Sequence, residues 1–294
     1  MGRSGHGKSS LINALANKTV AEVGDVKPTT PESVPYEIIF NERYAAWSVI
    51  DTRGIFETTK PDGAPEEDAI KVLERDILKY KPDIIMHVVS TPEIRNLSND
   101  LQVFKDITYK LRRETGVQVP TILIINRVDT LGNPRDWPPE DSPKKAAHIK
   151  EALEYMAIDV LRAKGIRNID LNTAIRGYQI SDDTYLAVIP VCSLDGDLWN
   201  IEALYDFVGE QLPKEAVMDF FQAQRRKEQL RKLASSIINR FATIAGGIGA
   251  SPVPISDILL ITPLQLMLIA IIGGLSCREF NKETAYEFFA AAGV

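Results

Sequence analysis

Short apolar runs of strand length alternate with amphipathic stretches from Leu11 to about Leu212. The runs are "EIIF", "AAWSVID", "PDIIMHVV", "PTILIIN" and "YLAVIPVC", and several end on a polar residue. Between them, "EEDAIKVLERDILKYK", "SNDLQVFKDITYKLRRETG", "PKKAAHIKEALEYMAIDVLRAKG" and "NIEALYDFVGEQL" read as helices. Nearly continuous apolar strands alternating with helices predict an α/β fold, a mostly parallel sheet covered on both faces. In such a sheet the ligand lies beyond the carboxyl ends of the strands. The residues that follow each apolar run are therefore the candidates for chemistry.

The pattern changes near Pro213. "KEAVMDFFQAQRRKEQLRKLASSIINRFATIA" predicts one long helix, with "RRKEQLRK" as a basic band along it. A loop rich in Gly, Pro and Ser follows, "GGIGASPVPISD", and then the strongly apolar "ILLITPLQLMLIAIIGGL", Ile258 to Leu275. That last run just reaches the length of a membrane helix. Pro263 and Gln265 inside it and Asp257 at its edge weaken that reading, and the mildly basic "CREFNK" sets no orientation. Two readings stand: a buried helical hairpin packed on the long helix, or membrane contact through 258–275. The expected organisation is a nucleotide-binding domain over 1–212 and an all-helical, hydrophobic region over 213–294.

Composition narrows the function classes. A chain of 294 residues has room for roughly two domains. Its net charge of -6, from 34 basic and 40 acidic residues, argues against general nucleic-acid binding. Cys192 and Cys277 are far apart and lack CxxC spacing, so neither a disulfide framework nor a zinc site is expected. A polar glycine loop, not a basic segment leading into an apolar one, opens the chain. A reducing, cytoplasmic setting fits these features, at the inner face of a membrane if the apolar tail docks there.

The opening "GRSGHGKSS", Gly2 to Ser10, fits the phosphate-cradling loop G-x-x-x-x-G-K-[ST], and "SLINALANK" supplies the helix that follows such a loop. Gly2, Ser4, Gly5, His6, Gly7, Lys8, Ser9 and Ser10 are the candidate phosphate contacts. Lys8 reaches the β- and γ-phosphates, Ser9 ligates Mg²⁺, and the amides of Gly5 to Ser9 wrap the phosphates. "SVIDTRG" ends a strand in Asp51-x-x-Gly54, a carboxylate on the Mg²⁺ side and a glycine amide aimed at the γ-phosphate. "ILIINRVD" ends another in Asn126-x-x-Asp129, where a carboxylate can accept the N1 and N2 protons of guanine. "VIPVCSLDG" ends a third, where the amides around Ser193, within Cys192-Ser193-Leu194, can meet the guanine O6. Between the first two lies "VKPTTPE", whose threonines can close over Mg²⁺.

These motifs, in this order and at strand ends, resemble the translation-factor-class P-loop GTPases, nearest to the Era-like and the septin- and immunity-related branches. The resemblance covers Gly2 to Leu212 and implies a three-layer P-loop sandwich, GTP and GDP as ligands and Mg²⁺ as the metal. Arg127 stands where the family carries Lys, in the role of packing along the purine and bracing the phosphate loop. Thr29 and Thr30 are both candidates for Mg²⁺, and the spacing of the Era-like Thr-Thr pair favours Thr30. "CSL" departs from the family's Ser-Ala-x.

Ile55 and Phe56 follow Gly54, where Ras-like enzymes carry the glutamine that orients the attacking water. The resemblance is thus to members with a hydrophobic replacement of that glutamine. It implies slow intrinsic hydrolysis unless a dimer partner or activator supplies the missing group. Gly5 replaces the asparagine of potassium-activated relatives, which argues against potassium activation. His6 reads as a surface residue at a variable loop position rather than a catalytic group, and His87 and His148 read as structural. The tail resembles a hydrophobic domain appended to some bacterial GTPases. A phosphate loop without a preceding strand, and an ending "EFFAAAGV" that reads as a continuing helix, lead us to expect truncation at both ends and a weakened sheet.

Overall fold

The computed structural model describes residues 1–3, 5–16, 34–40, 45–51, 69–116, 118–212, 216–217, 220, 227–249 and 264–272. The chain divides into two compact units, Met1–Ile38 with Ser48–Pro213, and Ile39–Trp47 with Lys214–Val294. The first contains the elements that position the site.

Helix α1, Lys8–Ala16, follows the glycine loop. Strands β1, Val34–Phe40, and β2, Ala45–Asp51, form a two-stranded sheet of their own. Next come α2, Ala69–Tyr80, β3, Ile85–Ser90, a 3-10 turn over Thr91–Asn96, and α3, Ser98–Thr115. Then follow β4, Thr121–Asn126, a 3-10 turn over Val128–Thr130, and α4, Pro143–Glu154. Strands β5, Lys164–Asp170, β6, Thr173–Ser181, and β7, Tyr185–Pro190, lead to α5, Ile201–Gln211. Helix α6, Lys227–Gly249, lies in the second unit.

The main sheet has the order β3-β4-β7-β6-β5. Its β3–β4 and β4–β7 ladders are parallel, while β7–β6 and β6–β5 are antiparallel. The sheet is therefore mixed, and the parallel part carries the motif-bearing strand ends. Strand β4 is buried at every position, as its unbroken apolar run requires for a strand covered on both faces. Leu123 and Ile125 of β4 join Phe104 and Ile107 of α3 and Ile149 and Leu153 of α4 in one core. Met1 lies parallel beside β3: its amino group donates to the Met86 carbonyl at 2.7 Å, and the Val88 amide donates to the Met1 carbonyl at 2.8 Å. The glycine loop thus starts at the same sheet end as Ser90, Asn126 and Pro190, which the parallel register aligns.

Local signals explain most boundaries. Helix α3 has Asp100 in its first turn and Arg112 and Arg113 in its last, which complements the helix dipole. Gly116 closes it at φ 71°, with its amide on the Arg112 carbonyl. The stretch "PKKAAHIKEALEYMAIDVLRAKG" is a correction to the sequence reading, because it is not helical to Gly165. The α-helix ends at Glu154, a π-turn runs over Tyr155–Val160, and Arg162 adopts φ 53°. The next residues enter β5, which pairs with β6 through a two-residue turn at Leu171 and Asn172. The Asn172 amide caps that turn on Asp170 Oδ1 at 2.8 Å, in the absence of any glycine signal.

In the second unit, helix α6 runs through "GGIG" instead of ending before it. Of the apolar tail 258–275, residues 264–272 are helical, and the rest lies outside the described residues. Among the described residues, no helix is long and apolar enough to cross a membrane.

Candidate functional site

The glycine loop is built on backbone conformations that side chains resist. Gly5 and Gly7 adopt φ of 74° and 80°, and a Cβ on Gly7 would collide with the Asn126 side-chain amide. The Gly7 carbonyl accepts the first helical bond of α1, from Leu11 at 2.9 Å, so the loop runs directly into the helix N-terminus. Such a terminus points amides at an anion. The Lys8 ammonium donates to the carbonyls of Gly2 at 3.1 Å and Arg3 at 3.0 Å, which folds it back over the loop. Ser9 and Ser10 occupy the first turn of α1, and Ser4 lies outside the described residues.

Asn126, at the end of β4, joins this loop to the other strand ends. Its Nδ2 donates to the carbonyls of His6 at 3.1 Å and Gly7 at 3.4 Å. Its Oδ1 accepts the Arg127 amide at 2.9 Å, the Ser193 amide at 3.3 Å and the Ser193 hydroxyl at 3.0 Å. The residue is fully buried, so each of these bonds replaces water. Arg127 sits at φ 64°, exposed, with its guanidinium 3.5 Å from the Gly5 carbonyl. Its own carbonyl accepts the hydroxyls of Thr91 at 2.6 Å and Thr130 at 2.7 Å.

Asp129 lies in the 3-10 turn just beyond, partly exposed. Its Oδ1 accepts the Cys192 thiol at 3.2 Å. Burial pushes that thiol up to about 12, so it remains a donor across the physiological range. Cys192 is held in turn by two main-chain bonds with Trp199, its amide on the Trp199 carbonyl at 3.1 Å and the reverse at 3.0 Å. In this loop the Ser193 amide donates to Asn126 and the Cys192 amide to Trp199. Leu194 is exposed.

His6 is a second correction. It is 1% exposed, not a surface residue. Its ring bonds the Val88 carbonyl through Nδ1 at 3.0 Å and Glu93 through Nε2 at 3.3 Å. Burial lowers its pKa, outweighing Glu93. Arg3 extends the same network with two bonds to Asp100, at 2.5 and 2.8 Å, and one to Glu93 at 3.3 Å. His87 is buried on β3 against the Tyr185 hydroxyl at 2.8 Å, as a structural histidine would be.

Sequence reading passed over Arg3, Thr91 and Lys145, although each touches a loop of this site. Lys145 was accessible to it: the residue falls on the same helical face as Ile149 and Leu153, where an apolar side chain is expected. Thr29, Thr30, Gly54 and Ile55 lie outside the described residues, and Asp51 is described as the last residue of β2. Among the described residues, no three His, Cys, Asp or Glu side chains gather as a metal cluster.

Residues 1–127 match a family model described as a 50S ribosome-binding GTPase. The chain is similar to GTPase Era of Thermoanaerobacter sp. (strain X514), 27% identical over 172 residues, covering 58% of this chain and 50% of that protein. It is similar to GTPase Der of Deinococcus deserti, 26% identical over 217 residues, covering 72% of this chain and 44% of that one. The tRNA modification GTPase MnmE of Mycoplasma mycoides is 29% identical over 133 residues, covering 45% and 25%. The chain thus spans half or less of the length of these relatives. A crystal structure of Era with MgGDPNP and a segment of 16S ribosomal RNA aligns at TM-score 0.42 and 17% identity, covering 72% of this chain and 55% of that one.

Proposed function

We propose that residues 1–212 bind a guanine nucleotide with Mg²⁺ and hydrolyse GTP to GDP slowly, as a nucleotide-dependent switch. The observation that carries this reading is the Asn126 side chain, which joins the glycine loop to the Ser193 loop, whose Cys192 thiol holds Asp129. Phosphate-binding and base-reading elements so tied together suit a ligand with both parts. The phosphates then lie on the amides at the start of α1, with Lys8 exchanging the Gly2 and Arg3 carbonyls for phosphate oxygens. Asp129 accepts the N1 and N2 protons of guanine, which adenine lacks. Ser9, Thr30 and Asp51 are the residues we assign to Mg²⁺, which supplies charge neutralisation at the phosphates.

Slow turnover follows from Ile55, which cannot hydrogen-bond a water. Dimerisation or a partner protein then supplies the missing group. Ile55 also favours a second reading, a GTP-dependent scaffold that docks on a partner or a membrane and hardly hydrolyses. Single-turnover hydrolysis across protein concentrations separates the two: a rate that climbs with concentration indicates the dimer-activated enzyme, and no turnover at any concentration indicates the scaffold. Binding tests the shared premise. Lys8→Ala abolishes nucleotide binding, and Asp129→Asn moves preference from guanine to xanthine nucleotides. An Asp129→Asn protein that binds GTP as tightly as the wild type overturns the base assignment.

A further inference from the structure

Lys145 is 1% exposed, the only Lys or Arg that is buried among the residues whose side-chain exposure is described. Its placement is costly in three ways. It lies in the first turn of α4, where the helix dipole disfavours a cation. It is withdrawn from water, which lowers its pKa. It also orders a long, flexible side chain. A merely structural demand at this position would be met by an apolar residue, since replacing a buried ion with a packed hydrophobe is often neutral or stabilising. Ile149 and Leu153, on the same face of α4, show that such residues are accepted there.

What Lys145 obtains is main chain. Its Nζ donates to the carbonyl of Asp129 at 2.7 Å and to that of Leu131 at 2.5 Å. These carbonyls bracket the end of the 3-10 turn over Val128–Thr130. The Asp129 carboxylate is held separately, by the Cys192 thiol. We propose that Lys145 is a positioning residue for base recognition: holding the Asp129 and Leu131 carbonyls, it sets the angle at which the Asp129 carboxylate meets the guanine N1 and N2 protons. This rests on the guanine reading above.

The test compares affinities for GDP and for IDP, which lacks the 2-amino group, alongside the melting temperature. Lys144 is the neighbouring lysine and is exposed, so Lys144→Met is the control. Lys145→Met lowers the GDP-over-IDP preference about tenfold, the scale of a weakened hydrogen bond to a charged group, while Lys144→Met leaves it unchanged. If Lys145→Met does not fold, Lys145→Gln, a shorter neutral donor, is read for the same ratio. A Lys145 variant that melts earlier yet keeps the wild-type preference within twofold makes the residue purely structural and overturns the proposal. A wild-type protein that binds ADP as well as GDP instead removes the guanine reading itself, before any variant is measured.

Discussion

The side-chain amide of Asn126 donates to the carbonyl oxygen of His6 at 3.1 Å, across 120 residues of sequence. Both residues are buried, so breaking this bond leaves polar groups without water to replace it. Asn126→Ala strips partners from the His6 and Gly7 carbonyls and from Ser193. With each buried unsatisfied group costing about 1–3 kcal/mol, we expect at least 2 kcal/mol or so of lost stability in urea unfolding. Nucleotide affinity falls with it. An Asn126→Ala protein that unfolds at the wild-type urea midpoint would show that water replaces the amide.

Gly7 and Gly5 share a left-handed backbone but not a neighbourhood. A Cβ on Gly5 meets nothing within 4 Å, whereas one on Gly7 runs into Asn126. Gly5→Ala therefore costs only the conformational term, about 1–2 kcal/mol. Gly7→Ala costs that and displaces the Asn126 amide. The expected order in thermal melting is wild type, then Gly5→Ala, then Gly7→Ala; equal losses would refute the steric argument.

Arg3 forks onto the Asp100 carboxylate, whose side chain is 4% exposed. Removing the cation leaves a buried charge, a change that costs about 3–5 kcal/mol where both partners are buried. Arg3 itself is 30% exposed and Asp100 gains from the first turn of α3, so the lower end is expected. Arg3→Lys recovers little, because an ammonium cannot reproduce the two parallel bonds. Chemical denaturation of the two variants decides the point, and full recovery by lysine would show that charge alone matters.

Burial lowers the pKa of His6 and, more strongly, that of His87. Both are neutral in the folded protein at pH values where the unfolded chain, at the ordinary 6.5, takes up protons. Stability therefore rises with pH through this range, and it is lost as pH falls below about 6.5 toward the folded-state values. The urea midpoint should drop between pH 7 and pH 5. In His87→Phe, less stable at neutral pH because Tyr185 loses its partner, the slope should be shallower. An unchanged slope would assign the acid sensitivity elsewhere.

The sequence by itself determined the elements that local rules control. The unbroken apolar run "TILIIN" could only be a doubly covered strand, and it became the fully buried β4. The motif "GRSGHGKSS" carried glycines where positive φ was needed, and Asn126, Asp129 and Ser193 stood at the ends of apolar runs. Strand-end spacing is a short-range property, so it can be read along the chain. The tertiary structure decided what depends on neighbours far away in sequence. His6 sits in a polar loop, and only the approach of Val88 and Glu93 buries it. "KGIRNID" has no glycine turn beside it, so its strand state rests on pairing with β6. Helical spacing puts Lys145 on the face of Ile149 and Leu153, but its partners, the Asp129 and Leu131 carbonyls, come only from the turn that packs over it. Burial and hydrogen-bond partners at such separations are set by packing, which no local pattern encodes.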